Sequence, residues 1–277
     1  MEIVLTAPFI TGPGIYRGLP NETYHADRSA VSSSQLKVLA EQSPAHFEAS
    51  LMKQHHSTEA LLFGSAFHCA LLEPEEFTER YVVMPEINAR TKDGRVQIAA
   101  LEELANGRAL ITREWSERLK GMVASAREHR AVREMLLGGE PELAFVWQDP
   151  ETKILCKIKT DWYQPGTAIW DAKSAADASR DGFSRACGKY SYHLSAAMYQ
   201  AGVAALTSEY LPWRFVAVEK EYPYACAIYT ASEAFLRKGQ RAFRNALEKL
   251  QACRDSSVFP SYQPKHEVEE IDLPSWM

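Results

Sequence analysis

The sequence predicts an α/β (α+β) chain with a mixed central β-sheet flanked by helices. Helical periodicity fills the first half, at 59–72, 97–106 and 112–137. Strand signals crowd the second half, at 142–148, 153–162, 167–173, 213–220 and 224–229, with helices at 190–207 and 231–253 among them. Helices first, then strands interleaved with helices, describe a sheet covered by helices rather than a sandwich or a bundle. The 277 residues, 46% hydrophobic and 24% charged, can bury one large core, so a single domain over 1–277 is expected. Residues 1–58 read as an irregular segment plus helix, and 59–277 as the core.

Turn formers Pro13, Gly14, Gly18, Pro20 and Asn21 make the first thirty residues irregular. Ser32, Ser33 and Ser34 then precede apolar positions Leu36, Val38, Leu39, Phe47 and Leu51, so a serine caps a helix that Ser43-Pro44 kinks or interrupts. EALLFGSAFHCALL at 59–72 predicts a central buried helix. Within it Gly64 permits close approach of another backbone one turn from His68. His68 taken alone reads as a hydrogen-bonded core residue more readily than as a ligand. The polar stretch 84–96, with Arg90, Lys92 and Arg95, is a loop, either solvated or a flap touching phosphates. Glu142 opens the first strand, as a surface acid or a site acid.

The hairpin KTDWYQPGTAIWDAK is the most informative stretch. Alternate side chains of a strand share a face, so Lys157, Lys159 and Asp161 lie opposite Ile154, Cys156 and Ile158. After a turn at Pro165 and Gly166, Asp171 and Lys173 again share a face. Two acids and one ammonium then converge, a set that suits metal-assisted phosphodiester hydrolysis. The plain alternative is a cross-strand salt bridge worth under about 1 kcal/mol. On the helix near 190, Tyr192, Ser195 and Tyr199 at i, i+3 and i+7 form one stripe, of a kind usually buried in a core.

Exclusions narrow the field. There is no phosphate-cradling glycine loop, nucleophile elbow or zincin helix. Five separated cysteines have no metal or disulfide spacing. No apolar run approaches the roughly 20 residues that span a bilayer, so no membrane role is expected. The N-terminus lacks the features of a secretory signal, and a cytoplasmic location is expected. A net charge of −5 argues against coating nucleic acid indiscriminately, while leaving room for a local basic groove.

GIYRGLPNETYHA, SSSQLKVLAEQSPAHF, GSAFHCALLEPEEF, ELAFVWQDPET, CKIKTD, IWDAKS, YSYHLSAAMY and the C-terminal LPSW occur in this order over nearly the whole chain. Together they resemble the PD-(D/E)xK nuclease superfamily and, within it, the exonuclease VIII (RecE-type) nuclease domain of phage and prophage recombination systems. The resemblance implies a restriction-endonuclease-like core with an N-terminal helical elaboration. It further implies that His68, Asp161, Asp171 and the Ala172 carbonyl ligate Mg2+, with Mn2+ as a substitute. Lys173 would orient or activate the attacking water, and Glu142 would be a further acid. Candidates for DNA contact are Ser34, Arg90, Lys92, Lys159, Tyr192, Ser195 and Tyr199.

By resemblance the substrate is a double-stranded DNA end, degraded 5′→3′ to leave 3′ single-stranded tails for a RecT-like annealing protein. The assembly implied is a homo-oligomeric ring, trimer or tetramer. Thr160 replaces the proline of the family's name, at a position contributing shape. Ser195 replaces a glutamine that usually stands one turn before the tyrosine, and Gln200 points about 100° away from it. The alternatives are an end-binding or partner-recruiting protein of the same fold with weak catalysis, and a related single-strand or endonucleolytic DNase.

Overall fold

A computed structural model describes residues 4–52, 58–88, 90–263 and 267–274. Ser275 and Trp276 of the LPSW motif lie outside these. The first half contains β1 (Val4–Leu5), β2 (Gly14–Tyr16), α1 (Asn21–Ala26), β3 (Val31–Ser32), α2 (Ser33–Glu41), α3 (Pro44–Met52) and α4 (Glu59–Leu72). A 3-10 turn at Pro74–Glu76 leads to α5 (Phe77–Arg80), β4 (Tyr81–Val83), α6 (Lys92–Ala105), β5 (Ala109–Ile111), α7 (Arg113–Glu128) and α8 (Arg130–Leu136). The second half contains β6 (Glu140–Pro141), β7 (Ala144–Gln148), β8 (Leu155–Lys159), β9 (Trp162–Gln164) and β10 (Ala168–Ala175). It closes with α9 (Arg180–Lys189), α10 (Tyr192–Thr207), β11 (Trp213–Glu219), β12 (Cys226–Thr230) and α11 (Glu233–Ser256).

The expected mixed sheet flanked by helices is present, divided in two. One five-stranded sheet runs β1-β2-β7-β8-β3 and the other β12-β11-β10-β9-β6, while β4 and β5 form a small parallel pair. Both large sheets are mixed: β10 pairs parallel with β11 and antiparallel with β9, and β8 pairs antiparallel with β7 and parallel with β3. A single hairpin joins them. Its first arm is β6–β7, bent at Glu142, and its second is β8–β9, bent at Thr160–Asp161. At the bend Thr160 N–H donates to Leu143 O at 2.9 Å and Glu142 N–H to Asp161 O at 3.3 Å.

Side-chain alternation then sorts β10 between two cores. Ile169 joins Phe145, Trp213, Phe215, Leu194 and Met198 beneath α10 and α11. Trp170 and Ala172 join Phe63, Phe67, Leu71, Leu119 and Met122 beneath α4 and α7. A fully buried side chain of this size contributes about 1.5–3 kcal/mol, so both faces of β10 are held firmly. Helices α10 and α11 cross closely at Gly239, where an added Cβ would stand 2.0 Å from His193 O.

Helix starts follow the predicted chemistry. Thr58 accepts from Leu61 N–H, Thr112 from Trp115 N–H and Ser232 from Phe235 N–H. The Gln35 side chain accepts the Ser32 N–H at 2.8 Å, one arm of a capping box. Several expectations are corrected. The 84–96 loop ends at Thr91, whose hydroxyl accepts from Gly94 N–H and starts α6 at Lys92. The helix expected at 112–137 divides at His129, which caps α8 through Ala131 N–H. Helices α1 and α9 are additions, α9 capped by Ser179. Gly64 is no point of tight backbone approach, because its nearest outside atom is Ser174 Oγ at 4.0 Å from an added Cβ.

Candidate active site

The fork between the sheets creates the site. Strand β9 pairs with β10 only at Ala168–Trp170, after which the chain N-terminal to β9 turns away into the other sheet. The polar main-chain groups of Ala172 on that side therefore lose a strand partner and need another. Asp161, at the bend, accepts the Ala172 N–H at Oδ2, 2.8 Å. The Ala172 carbonyl accepts from His68 Nε2 at 2.7 Å. Because a carbonyl only accepts, Nε2 carries a proton, and in the neutral imidazole Nδ1 then offers its lone pair. That Nδ1 stands 3.6 Å from Asp161 Oδ1.

Glu142 completes a cluster on the opposite arm of the bend. One ligand atom each from His68, Glu142 and Asp161 lies within 4.8 Å of the other two. The Glu142 backbone has φ 52°, a left-handed conformation unfavourable for a residue with a Cβ and worth noting at a functional site. Lys159 donates to Glu142 Oε2 at 3.1 Å, to Asn21 Oδ1 at 2.7 Å and to Leu19 O at 3.0 Å. It is thus fixed between the acid and the N-terminal segment. Lys157 is also committed, donating to Tyr24 O at 2.6 Å and Asp27 O at 2.8 Å.

Asp171 and Lys173 stand beside this cluster, on the α10 face of β10. Lys173 Nζ lies 2.5 Å from Asp171 Oδ2 and 3.4 Å from Ala172 O. Burial pushes the Lys173 ammonium down, but Asp171 and Asp161 outweigh it and hold the group above its usual range. Burial pushes the Asp161 carboxyl up, His68 and Lys173 pull it down, and Asp171 adds to the rise. Burial likewise raises Glu142, with Lys159 opposing and Asp161 adding. Burial thus penalises the charged forms of Glu142 and Asp161, and neither Lys159 nor Lys173 with His68 offsets that penalty in full.

That imbalance, together with an imidazole nitrogen and several carboxylate oxygens, fits a divalent cation. His68, Asp161 and Glu142 are the residues that would hold it, with Asp171 and the Ala172 carbonyl adjacent. Asp171 lies outside that three-residue cluster, with its Oδ2 against Lys173 Nζ.

A cleft of about 510 Å³ opens onto His68, Asp161, Asp171 and Lys173. Its walls include Ser34, Tyr192, Ser195 and Tyr199 from the expected set. Arg90 and Lys92 do not line it, and Lys159 faces an adjoining cavity of about 230 Å³ with Glu142. Gln200 Nε2 donates to Leu211 O at 2.6 Å, away from Ser195's place in the cleft.

Sequence reasoning passed over Lys37 on α2, one turn after Ser33. Its ammonium lies 5.4 Å from the Tyr192 ring centroid, and the Lys173 ammonium 5.2 Å from the same ring. Burial and the Lys173 charge lower Lys37 to about 8, against the pull of Asp171 and Glu41. The i, i+4 spacing of Ser33 and Lys37 was the available signal, because Ser33 faces the cleft and bonds Tyr199.

A family model described as a PDDEXK-like domain of unknown function (DUF3799) matches residues 32–271. No curated protein matches the chain. Among the solved structures that match is a provisionally named exonuclease from Eubacterium rectale, at 17% identity and a TM-score of 0.63. The alignment covers 93% of this chain and 97% of that one, and at this identity the likeness speaks for the fold alone. With the family model spanning most of its length, the chain belongs to the PDDEXK-like DUF3799 family.

Proposed function

We propose that this chain is a divalent-metal-dependent DNA exonuclease, acting on double-stranded ends in the 5′→3′ direction with Mg2+ and leaving 3′ single-stranded tails. The observation that carries the reading is the crowding of His68, Glu142 and Asp161 at a sheet fork, one strand position from the Asp171–Lys173 pair. The fold of the Eubacterium rectale exonuclease agrees with it. A RecT-like annealing partner and a ring of three or four copies belong to the same reading, as does a cytoplasmic setting. None of the described helices is long and apolar enough to cross a membrane.

A bound divalent ion supplies charge neutralisation at the scissile phosphate and a more acidic water. The chain's own residues do the positioning. Asp161 is held by the Ala172 amide and His68 by the Ala172 carbonyl, so the two ligands share one rigid strand residue. Lys159 keeps Glu142 turned inward. Lys173 places a fixed positive charge where a phosphate oxygen or attacking water would stand, and Asp171 aims it. The Lys37 ammonium, lacking any carboxylate within salt-bridge distance among the described residues, adds a second cation to the cleft wall.

Incubation of linear duplex with Mg2+ should release nucleotides, with none released in chelator or by Asp171→Ala. Lys173→Ala should lower the rate by about 10²–10³-fold, the cost of one preorganised electrostatic donor. Closed circular DNA should survive, and its loss would favour an endonuclease or single-strand DNase. A second reading, end binding with weak catalysis, is favoured by Ser195, whose hydroxyl reaches less far into the cleft than an amide. Tight metal-independent binding of ends without turnover would support it, and activity restored by Ser195→Gln would show the remaining site to be intact.

A further inference from the structure

A row of stacked rings leads from solvent to the catalytic lysine, and neither the metal cluster nor the core accounts for its outer member. Helices α9 and α10 meet at Tyr190 and Ser191, where Ser191 has φ 47°. This corner brings Tyr190 and Tyr192 into a stack, with centroids 5.7 Å apart and planes 28° from parallel. Tyr192 lines the cleft, with the Lys37 and Lys173 ammonium groups both against its ring. Tyr190 is 49% exposed, with the Lys189 ammonium 5.3 Å from its ring centroid. An outward tyrosine that stacks on a site tyrosine and carries a lysine of its own is poorly explained by packing.

We infer that Tyr190 is a stacking platform for an unpaired nucleobase of the strand entering the cleft, so that frayed or single-stranded ends are gripped in preference to flush ones. This rests on the nuclease reading and adds a preference among its substrates. Every base offers a π-face, so the grip is tolerant of sequence, and stacking on an aromatic ring needs no particular hydrogen-bond pattern. Lys189 occupies the ring only through an exposed cation–π contact, which is weaker than base stacking. An arriving base therefore displaces it, and the released ammonium is free to meet the neighbouring phosphate. Lys37 and Lys173 place two further ammonium groups against the inner ring, Tyr192. A cleft of about 510 Å³ is the size of a small-ligand pocket and suits the terminal nucleotides of one strand better than a base pair with both its backbones.

The test uses the full chain in chelator, with duplexes that carry 2-aminopurine in a short 5′ single-stranded extension or at a flush end. Wild type should bind the extended duplex more tightly and quench its fluorescence. Tyr190→Ala should weaken that binding by about 5- to 150-fold, the range of one base–aromatic stack, and abolish the quench. Tyr190→Trp should keep both. The inference is overturned if wild type shows no preference for the extended end, if Tyr190→Ala binds and quenches like wild type, or if Tyr190→Trp fails as Tyr190→Ala does. Because no turnover is needed, failure here is distinguishable from failure of the nuclease reading, which nucleotide release in Mg2+ decides separately.

Discussion

Lys159→Met removes the cation that ties the site to the N-terminal segment, and its cost follows from three contacts. Lys159 is nearly buried, with 9% of its side chain exposed, and Glu142 has 22% exposed. Loss of the ammonium leaves Glu142, Asn21 Oδ1 and Leu19 O without their shared donor. Removing one partner of a buried ion pair costs about 3–5 kcal/mol, mostly the penalty of the charge left behind. At roughly 2–4 °C per kcal/mol for a domain near this size, the melting temperature should fall by about 6–20 °C in chelator. Saturating Mn2+ should recover part of that loss, since a cation beside Glu142 again compensates its charge. Lys159→Arg should lose less, because the charge survives while the geometry changes. Scanning calorimetry with and without Mn2+ reads each value. A Lys159→Met variant that melts with wild type, or that gains nothing from Mn2+, would refute the assignment of Lys159 as the residue positioning Glu142.

Other outcomes follow from the same geometry. Lys37→Met should raise stability at pH 7 by about 1–2 kcal/mol while slowing cleavage; the fall from 10.5 to about 8 corresponds to ~3 kcal/mol at 1.36 kcal/mol per unit, discounted for partial exposure. With the folded value depressed, wild-type stability should climb as pH rises from about 8 towards 10.5, and a flat wild-type-minus-variant difference over that window would contradict the burial of Lys37. Asp161→Asn should stabilise the metal-free chain at neutral pH, since asparagine can still accept the Ala172 N–H without the desolvated charge. The folded Asp161 value is raised, so wild type binds the extra proton when folded and loses stability as pH rises above the ordinary aspartate value; the advantage of Asp161→Asn should therefore vanish on acidification, and an advantage independent of pH would count against it. Gly239→Ala should cost about 1–3 kcal/mol by driving a methyl into His193 O, measurable as a lower urea midpoint, and an unchanged midpoint would mean that α10 and α11 cross less closely.

Much of the site is legible in the sequence because strand geometry is local. Alternation along β10 sets Asp171 and Lys173 on one face, the turn at Pro165-Gly166 returns that strand beside the segment that starts at Asp161, and the apolar continuity of 59–72 is enough to make α4 a buried helix that can deliver His68. What escapes is set by distant parts of the chain. Lys157 and Lys159 do share a face of β8, but the segment 19–27 covers that face and claims both ammonium groups, which no periodicity within 153–162 reveals. Glu142 reads as an ordinary strand opener until its positive φ turns β6 against β7. The single sheet expected from strand order becomes two, because the hairpin bends at Thr160–Asp161, and that bend exposes the Ala172 amide and carbonyl. Lys37 lay hidden as one polar residue of an amphipathic helix, since only the distant Tyr192 ring marks its direction.

Soaking crystals of the protein in Mn2+ and recording anomalous scattering tests the central claim most directly. A single strong peak should appear within coordination distance of Asp161 and at least one of His68 and Glu142, and it should disappear in Asp161→Asn. A peak elsewhere, or no peak while His68, Glu142 and Asp161 keep their places, would contradict a metal centre at the fork.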